Sequence, residues 1–177
     1  MSSFLASLGQ RVLVFDGAMG TQLQALDLSP EDQAALEQCP ELLNATNPDA
    51  VRSIHAAYLE AGADVVETNT FGCNPLLLQE FDLAARTVEL NQAAATIARQ
   101  ACQALDTPGR PRFVAGSMGP GTRLPSLGQV SWAQLEASYR LQALGLIQGG
   151  VDVLLLETAQ DVLQLKAGIS GIRAAQR

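Results

Sequence analysis

The residues best suited to chemistry are two carboxylates, each of which follows a run of apolar residues. Asp16 follows the run at residues 12–15, and Glu157 follows the run at residues 151–156. A carboxylate in such a place is either paired with a cation or perturbed in its pKa. We therefore interpret Asp16 and Glu157 as a candidate pair that holds an ammonium group through charge-assisted hydrogen bonds. A capping turn at Asp16 and a structural ion pair at Glu157 are the alternatives.

Two further polar turns follow apolar runs, at residues 67–72 and 116–121. In the first turn, Glu67 could act as a base or hydrogen-bond acceptor and Asn69 could hold a substrate carboxylate. A polar cluster that orders its own loop is the alternative. The second turn contains Ser117 and matches neither phosphate-binding glycine motif, and Pro120 lacks the N–H that a phosphate cradle would use. We interpret it as a loop that shapes the pocket.

The remaining reactive residue types give weaker signals. Cys39, Cys73 and Cys102 are odd in number and widely spaced, which predicts no disulfide framework and favours a reduced, cytoplasmic location. His55 is the single histidine, and no Cys-x-x-Cys or His-Glu-x-x-His spacing occurs, so the motifs indicate no metal site. His55 borders the apolar stripe of a predicted helix and is interpreted as a buried histidine with satisfied hydrogen bonds.

The composition is that of an ordinary globular domain. The 177 residues include 47% hydrophobic and 16% charged residues and carry a net charge of −7. That length fits one domain. We expect no membrane span, because no uncharged apolar run reaches about 18 residues. We expect no nucleic-acid partner, because the chain has no basic stripe.

The elements that must position these residues alternate between strand and helix. Four largely apolar runs that end in polar turns, at residues 12–17, 63–69, 113–117 and 151–158, predict four strands separated by helical stretches. We predict helices from Asn47-Pro48 to Gly62, over residues 83–105, from Ser131 to residue 148, and over residues 161–175. Residues 18–26 predict a helical turn or two, and residues 28–47 are expected to be irregular.

Since a helix lies between successive strands, the strands should be parallel with right-handed crossovers. Either a doubly wound sheet or part of a (β/α)8 barrel would fit. A full barrel takes about 250 residues, so under the barrel alternative this α/β chain would supply four βα units, half of the barrel. In both architectures ligands bind at the carboxyl ends of the strands, where the polar turns lie.

Six motifs, in order along the chain, resemble the homocysteine S-methyltransferase family. They are D-G-A-M-G-T at residues 16–21, L-L-N-A-T-N-P at 42–48, A-Y-L-E-A-G-A-D at 57–64, E-T-N-T-F at 67–71, V-A-G-S-M-G-P at 114–120 and L-L-E-T at 155–158. The likeness covers residues 11–177. It is greatest to the cobalamin-dependent branch, in which this homocysteine-binding module stands at the N-terminus.

The resemblance implies a (β/α)8 barrel with zinc held by three cysteines after the sixth and eighth strands. The zinc-bound homocysteine thiol would take a methyl group from methylcobalamin on another module to give methionine. The family's ammonium-binding carboxylates match Asp16 and Glu157, and we expect the Gly17, Asn69 and Ser117 turns to surround the substrate carboxylate. The implied partners are homocysteine and the cobalamin and folate modules of the same polypeptide.

One departure from the family is large. The chain stops after the fourth unit, and its three cysteines do not stand at the matching strand ends. We therefore expect residues 1–177 to be a partial homocysteine-binding domain that alone binds no zinc, transfers no methyl group and can self-associate through its open edges. The alternatives are a sister enzyme that uses betaine or S-methylmethionine and a truncated, non-catalytic amino-acid-binding product.

Overall fold

The computed structural model describes residues 4–107 and 109–177 and shows an α/β fold. The strands within these residues are β1 (Val65–Glu67), β2 (Phe113–Met118) and β3 (Val153–Leu156). The α-helices are α1 (Phe4–Leu8), α2 (Met19–Gln24), α3 (Pro30–Gln38), α4 (Leu43–Thr46), α5 (Pro48–Ala61), α6 (Pro75–Leu78), α7 (Thr87–Leu105), α8 (Trp132–Gly149) and α9 (Val162–Ala175). Short 3-10 turns occupy Pro40–Leu42, Gln79–Phe81, Ala84–Arg86 and Pro125–Leu127.

The three strands form one parallel sheet whose spatial order equals the chain order. Val65 pairs with Phe113 between β1 and β2, and Ala115 pairs with Val153 between β2 and β3. A doubly wound sheet reverses its strand order at a switch point, whereas a barrel keeps it. The observed order is therefore that of the barrel alternative, and the prediction of parallel strands is confirmed.

The prediction of a full strand at residues 12–15 is wrong. This segment forms a single parallel bridge, between Phe15 and Val65. The Asp64 and Val65 N–H groups donate to the Val14 carbonyl at 2.7 and 3.1 Å, and the Asp16 N–H donates to the Val65 carbonyl. Within the described structure the segment has a neighbour on one side only, and Val12 is 83% exposed. A single bridge and these few hydrogen bonds make a ladder too short for a regular strand.

A glycine that caps a helix, followed two residues later by an aspartate, precedes both β1 and β3. Gly62 and Gly150 end α5 and α8 in the left-handed conformation, with φ of 117° and 89°, as glycine C-caps do. Two residues after each glycine, an aspartate accepts a hydrogen bond from the backbone of the neighbouring segment. The Val14 N–H donates to Asp64 at 3.1 Å, and the Val114 N–H donates to Asp152 at 2.8 Å. Arg11 pairs with Asp64, and an arginine of α7 pairs with Asp152.

The two faces of the sheet bury different clusters because strand side chains alternate. Val66 and Val114 face a cluster with α5 and α7. Val65 and Phe113 belong to a cluster on the opposite face, where the Phe4 ring of α1 meets Phe113 edge-on at 5.5 Å between centroids. The helical layer therefore covers one face and α1 contributes to covering the other at the amino ends of the strands.

Most of the predicted helices begin and end where their capping residues indicated. Asn47 accepts from the Ala50 N–H to begin α5, and Ser131 forms a capping box with Gln134 to begin α8. Two predictions are wrong. Residues 28–47 are not irregular but contain α3, capped by Ser29, and α4. The helix expected over residues 83–105 begins only at Thr87, because Ala84–Arg86 forms a 3-10 turn.

None of the helices in the described ranges combines the length and the apolar character of a bilayer-spanning segment.

His55 lies on α5 and is completely buried, as expected, but its hydrogen bonds are not satisfied. Neither ring nitrogen has a hydrogen-bond partner among the described residues. Burial without a partner disfavours the charged imidazolium and lowers the pKa of His55 to about 4. The neutral ring is therefore the form that the core accommodates.

We predict that His55 weakens the fold in acid. The unfolded chain takes up a proton near pH 6.5 and the folded chain only near pH 4, so the free energy of unfolding decreases as the pH falls through this window. The full effect is about 3 kcal/mol. Urea unfolding should show that the wild type loses this stability relative to His55→Leu, whose side chain cannot titrate, because the other groups titrate in both proteins.

The comparison at about pH 8 is the control, because His55 is neutral there in both states and any difference reports packing. Parallel stability curves for wild type and His55→Leu between pH 6.5 and pH 4 would contradict the prediction.

Candidate functional site

Three carboxyl groups converge at the carboxyl ends of the sheet. Asp16 follows the bridge residue Phe15, Glu67 ends β1, and Glu157 directly follows β3. Neighbouring parallel strands end at the same edge, so residues far apart in the chain lie side by side there. Coulombic coupling links Asp16 to both glutamates, and Glu67 to Glu157. Ser117, in β2 between them, completes the group.

Asp16 is held by the backbone of β1. The Glu67 N–H donates to both Asp16 carboxyl oxygens, each at 3.1 Å. These hydrogen bonds hold the Asp16 carboxyl group at the carboxyl end of β1. Burial is the main reason that the pKa of Asp16 is raised to about 7; the Glu67 hydrogen bond opposes the rise, while the charges of Glu67 and Glu157 add to it.

Glu157 is oriented by hydroxyl groups. The buried Ser117 hydroxyl donates to Glu157 Oε1 at 2.5 Å, and the Thr158 hydroxyl lies 3.5 Å from Oε2. Thr158 has a φ of 53°, a left-handed conformation that strains a β-branched residue by about 1–3 kcal/mol. Such strain is concentrated at functional sites, and it marks Thr158 as a residue that the motif analysis did not single out.

Glu67 has the third carboxyl group. Its pKa is raised to about 7, first by burial and then by the charge of Glu157 and a hydrogen bond with it. Sequence reasoning considered Glu67 but did not include it among the final site residues. The signal that it could have used is position: Glu67 stands at a strand end just as Asp16 and Glu157 do.

The turn after β1 is locked to β2 by two threonines. Ser117 N–H donates to the Thr68 hydroxyl at 3.1 Å, and the Thr70 hydroxyl donates to the Ser117 carbonyl at 2.8 Å. The two threonine hydroxyls lie 2.5 Å apart, and Gln142 of α8 donates to the Thr70 carbonyl. These buried contacts fix Ser117, and through it Glu157.

Asn69 and Gly17 also lie at the carboxyl ends of the strands, but their contacts are with neighbouring loops and side chains. The Asn69 amide donates to the Pro40 carbonyl at 3.0 Å and to the Asn44 side chain at 3.3 Å, while Asn44 donates back to the Asn69 carbonyl. These bonds fit the loop-ordering interpretation of Asn69. A Cβ on Gly17 would lie 2.9 Å from the Tyr58 hydroxyl, so only glycine fits beside this ring.

The carboxyl cluster has no protein counter-charge in the described ranges. None of the ion pairs there involves Asp16, Glu67 or Glu157. Among the described residues, no three His, Cys, Asp or Glu side chains are arranged so that they could hold a metal ion. The arrangement can therefore receive a cation that donates hydrogen bonds, of which an ammonium group is the simplest.

The three cysteines do not fit a zinc site. Cys39 and Cys73 are buried in one apolar cluster, and Cys102 is buried in another between α7 and the sheet. Burial raises the pKa of Cys39 and of Cys102 to about 12, and raises that of Cys73 as well. Zinc binds the thiolate, which these surroundings disfavour, so no zinc chemistry is derived from them.

Comparison with known proteins assigns the chain to a class. The sequence pattern of the homocysteine S-methyltransferase family matches residues 13–177. The chain is 52% identical over 174 residues to a methionine synthase of Mycobacterium tuberculosis, and 50% identical to one of Mycobacterium leprae. The chain therefore belongs to the homocysteine S-methyltransferase family. Its similarity to methionine synthases covers 98% of its own length but 15% and 14% of theirs.

Solved structures agree on the fold. The metallated homocysteine methyltransferase MmuM of Escherichia coli matches with a TM-score of 0.78 and 24% identity, over 97% of this chain and 62% of that protein. The apo form of MmuM matches with a TM-score of 0.69 over 96% of this chain and 58% of that protein. At this identity the likeness speaks for the fold alone.

We predict that all three thiols are unreactive in the folded chain. Because each is buried and kept protonated, an aromatic disulfide reagent at about pH 8 should label none of them rapidly, and should label all three in denaturant. Glutathione in the same buffer is the control for reagent activity. Rapid labelling of one thiol in the folded chain would show that its environment is more open than described.

Proposed function

We propose that residues 1–177 form the N-terminal half of the homocysteine-binding (β/α)8 barrel of a methionine-synthase-type enzyme. The observation that carries this proposal is the convergence of Asp16, Glu67 and Glu157 at the carboxyl ends of the strands, without a protein cation in the described ranges. In a chain of this family, that site suits the ammonium group of homocysteine. The methionine synthases, at 50–52% identity, support this branch of the family.

Each proposed site residue has a separate task. Asp16 and Glu157 accept hydrogen bonds from the substrate ammonium, and Ser117 orients Glu157. The turns at Gly17 and Asn69 surround the substrate carboxylate. Gly17 keeps the backbone close to Tyr58, and Asn69 holds the loop that contains Asn44. The chain thus positions the amino-acid end of homocysteine.

The open edges of the sheet support the half-barrel assignment. Val12 and Val14 at the first edge are 83% and 55% exposed, and at the other edge all four residues of β3 are only partly buried. Apolar side chains and unpaired strand edges at both ends of a sheet are what further βα units would cover. Without those units, the edges favour self-association.

The thiol end of homocysteine belongs to the rest of the barrel. We propose that zinc is bound there, that methylcobalamin is the methyl donor on another module, and that cobalamin and folate modules continue the same polypeptide. The three reduced, buried cysteines accord with a cytoplasmic enzyme. Sequencing the source DNA past the Arg177 codon tests the proposal: four more βα units with a lone cysteine and then a Cys-Cys pair would support it, and an immediate stop codon would overturn it.

We predict that Asp16→Asn raises the Michaelis constant for homocysteine in the complete enzyme. Loss of one charge-assisted hydrogen bond of about 1.5–3 kcal/mol corresponds to roughly 10–100-fold. The asparagine oxygen can still accept from the Glu67 N–H, so the turn should persist. Because the pKa of Asp16 is about 7, the effect should be larger at pH 8, where the wild-type group is ionised, than at pH 6.

Asp49→Asn is the matched control, since Asp49 is an exposed residue of α5 that pairs with Arg52. It should leave the Michaelis constant unchanged. An unchanged constant for Asp16→Asn at pH 8 would remove Asp16 from the ammonium site.

We also predict that the isolated 177-residue chain retains no stoichiometric zinc and transfers no methyl group. Its cysteines are divided between two buried clusters, and the described residues contain no group of side chains that could hold a metal ion. Metal analysis after equilibration with zinc should give far less than one ion per chain. One zinc per chain together with homocysteine-dependent turnover would refute the half-site assignment.

A further inference from the structure

The backbone of Ser117 lies beyond the end of the neighbouring strand. β1 pairs with β2 as far as Glu67 and Ala115, and the Thr68 N–H still donates to the Ala115 carbonyl at 2.9 Å. The chain then turns at residues 68–70, where the Thr70 N–H donates to the Thr68 carbonyl. Within the described structure, the ladder therefore offers Ser117 no backbone partner on the β1 side.

Two hydroxyl groups replace the missing strand residue. The Ser117 N–H donates to the Thr68 hydroxyl at 3.1 Å, and the Ser117 carbonyl accepts from the Thr70 hydroxyl at 2.8 Å. Thr68 and Ser117 are 3% exposed and Thr70 is fully buried, so water cannot readily take over either bond. A buried peptide group without a partner is unfavourable, and the two side chains prevent that here.

The direction of these bonds follows from counting protons, because a hydroxyl group has only one to donate. Thr70 gives its proton to the Ser117 carbonyl, which can only accept. In the 2.5 Å contact between the two threonines, Thr68 must therefore be the donor. We call this closed set of three hydrogen bonds, from the Ser117 N–H through Thr68 and Thr70 to the Ser117 carbonyl, the threonine bridge.

The threonine bridge leaves the Ser117 side chain free for one task. The Ser117 hydroxyl takes no part in the bridge, and its proton goes to Glu157 at 2.5 Å. The Glu157 N–H donates to the carbonyl of Met118, the next residue of β2, at 3.3 Å. Glu157 is thus attached to β2 at two consecutive residues, and the bridge orders β2 up to the first of them.

We propose that Thr68 and Thr70 are positioning residues of the ammonium site: they hold the Ser117 peptide in strand geometry, and Ser117 then directs the Glu157 carboxylate. This inference rests on the proposed function and extends it to residues that do not touch the ligand. Both threonine protons are used inside the bridge, so neither can be donated to a substrate.

Helix α8 anchors the threonine bridge from outside the site. The Gln142 side chain, which is fully buried, donates to the Thr70 carbonyl at 2.8 Å, and the Cys73 N–H donates to the same oxygen at 3.0 Å. Two donors from different elements fix the Thr70 backbone, so its hydroxyl has a defined place from which to reach Ser117. The position of Glu157 therefore depends on contacts that extend to the helical layer.

The first experiment is Thr70→Val in the complete enzyme, which keeps the shape of the side chain but removes its hydroxyl. The Michaelis constant for homocysteine should rise by roughly tenfold, because the Ser117 carbonyl loses its partner and Glu157 its fixed orientation. Turnover at saturation should stay the same, since the affected contact binds substrate and transition state alike. Thr70→Ser restores the hydroxyl, and its Michaelis constant should lie within about twofold of the wild type.

Thr96→Val is the matched control, because Thr96 is an exposed residue of α7 whose hydroxyl bonds a carbonyl of its own helix. It should leave the Michaelis constant unchanged. A Michaelis constant in folded Thr70→Val equal to that of the wild type, or one in Thr70→Ser as high as in Thr70→Val, would overturn the proposal.

A double-mutant cycle tests whether Thr70 acts through Ser117. Ser117→Ala removes the hydroxyl that bonds Glu157 but keeps the peptide group. If the threonine bridge acts through this hydroxyl, adding Thr70→Val to Ser117→Ala should change the Michaelis constant by less than about twofold. Effects of the two substitutions that multiply would show an independent route and reject the positioning role.

A ligand without an ammonium group separates positioning from general distortion of the pocket. 4-Mercaptobutyric acid keeps the thiol and the carboxylate of homocysteine but has no amino group for Glu157 to bind. Its inhibition constant should be the same in the wild type and in Thr70→Val. An increase equal to that of the Michaelis constant for homocysteine would mean that the substitution damages the whole pocket, which contradicts the proposal.

Two further variants make the result decisive. Thr68→Val removes the acceptor of the Ser117 N–H, carries the same predictions, and is used in place of Thr70→Val if the latter does not fold. Glu157→Gln tests the proposed function itself. If Glu157→Gln leaves the Michaelis constant unchanged, the ammonium site is refuted; if it raises the constant while the threonine variants do not, only the role of the threonine bridge is refuted.

Discussion

The geometry of the candidate site depends on how the first chain segment is held against β1. One bridge, between Phe15 and Val65, joins the two backbones. Two carboxylates complete the attachment: Asp64 accepts from the Val14 N–H, and Asp16 accepts from the Glu67 N–H. These side chains occupy donors that a longer strand would have paired with carbonyl groups. Asp16 is therefore both a structural acceptor and a candidate ligand of the substrate, and its position is a consequence of the first role.

This double role carries an energetic penalty in the empty site. A carboxyl group whose pKa is higher in the folded chain than in the unfolded chain destabilises the fold as the pH rises through that interval. Asp16 and Glu67 both do so between about pH 4 and pH 7. A bound cation would reverse the penalty by pairing with the ionised groups. If the pocket binds an ammonium group as we propose, its unfavourable electrostatics in the empty state are a case of function competing with stability.

The sequence predicted the features that local chemistry determines. Asn47, Ser131 and Asp161 cap their helices because each needs only an N–H two or three residues away. The helix at Pro30–Gln38 has the same kind of start signal, a serine followed by proline and two acidic residues. It was not predicted because its apolar residues do not follow a helical periodicity. The strand at residues 12–15 was overestimated because an apolar run does not reveal how many neighbours it will have.

The carboxyl cluster could be predicted only in part, because the position of each residue at a strand end is a local feature but the contacts between these residues are not. Asp16 and Glu157 were recognised from their places at strand ends, which follow from the apolar runs. The Ser117–Glu157 hydrogen bond and the coulombic coupling of Glu67 to Glu157 join residues up to 90 positions apart and depend on strand order and register. Those relations arise only when the strands pair. The orphaned nitrogens of His55 likewise depend on what packs around α5, which its own sequence does not encode.

Division of the proposed site between two halves of a barrel has a thermodynamic consequence. Charge-assisted hydrogen bonds to one ammonium group contribute about 1.5–3 kcal/mol each, so two of them give about 3–6 kcal/mol. Association itself opposes binding by at least about 4 kcal/mol through lost translational and rotational freedom. At most about 2 kcal/mol remains, so the amino-acid half alone binds more weakly than millimolar, which would need about 4 kcal/mol. Under the proposed function, selective capture of homocysteine would therefore require the thiol to be bound at the same time, and the carboxyl cluster would position the amino-acid end within the closed barrel.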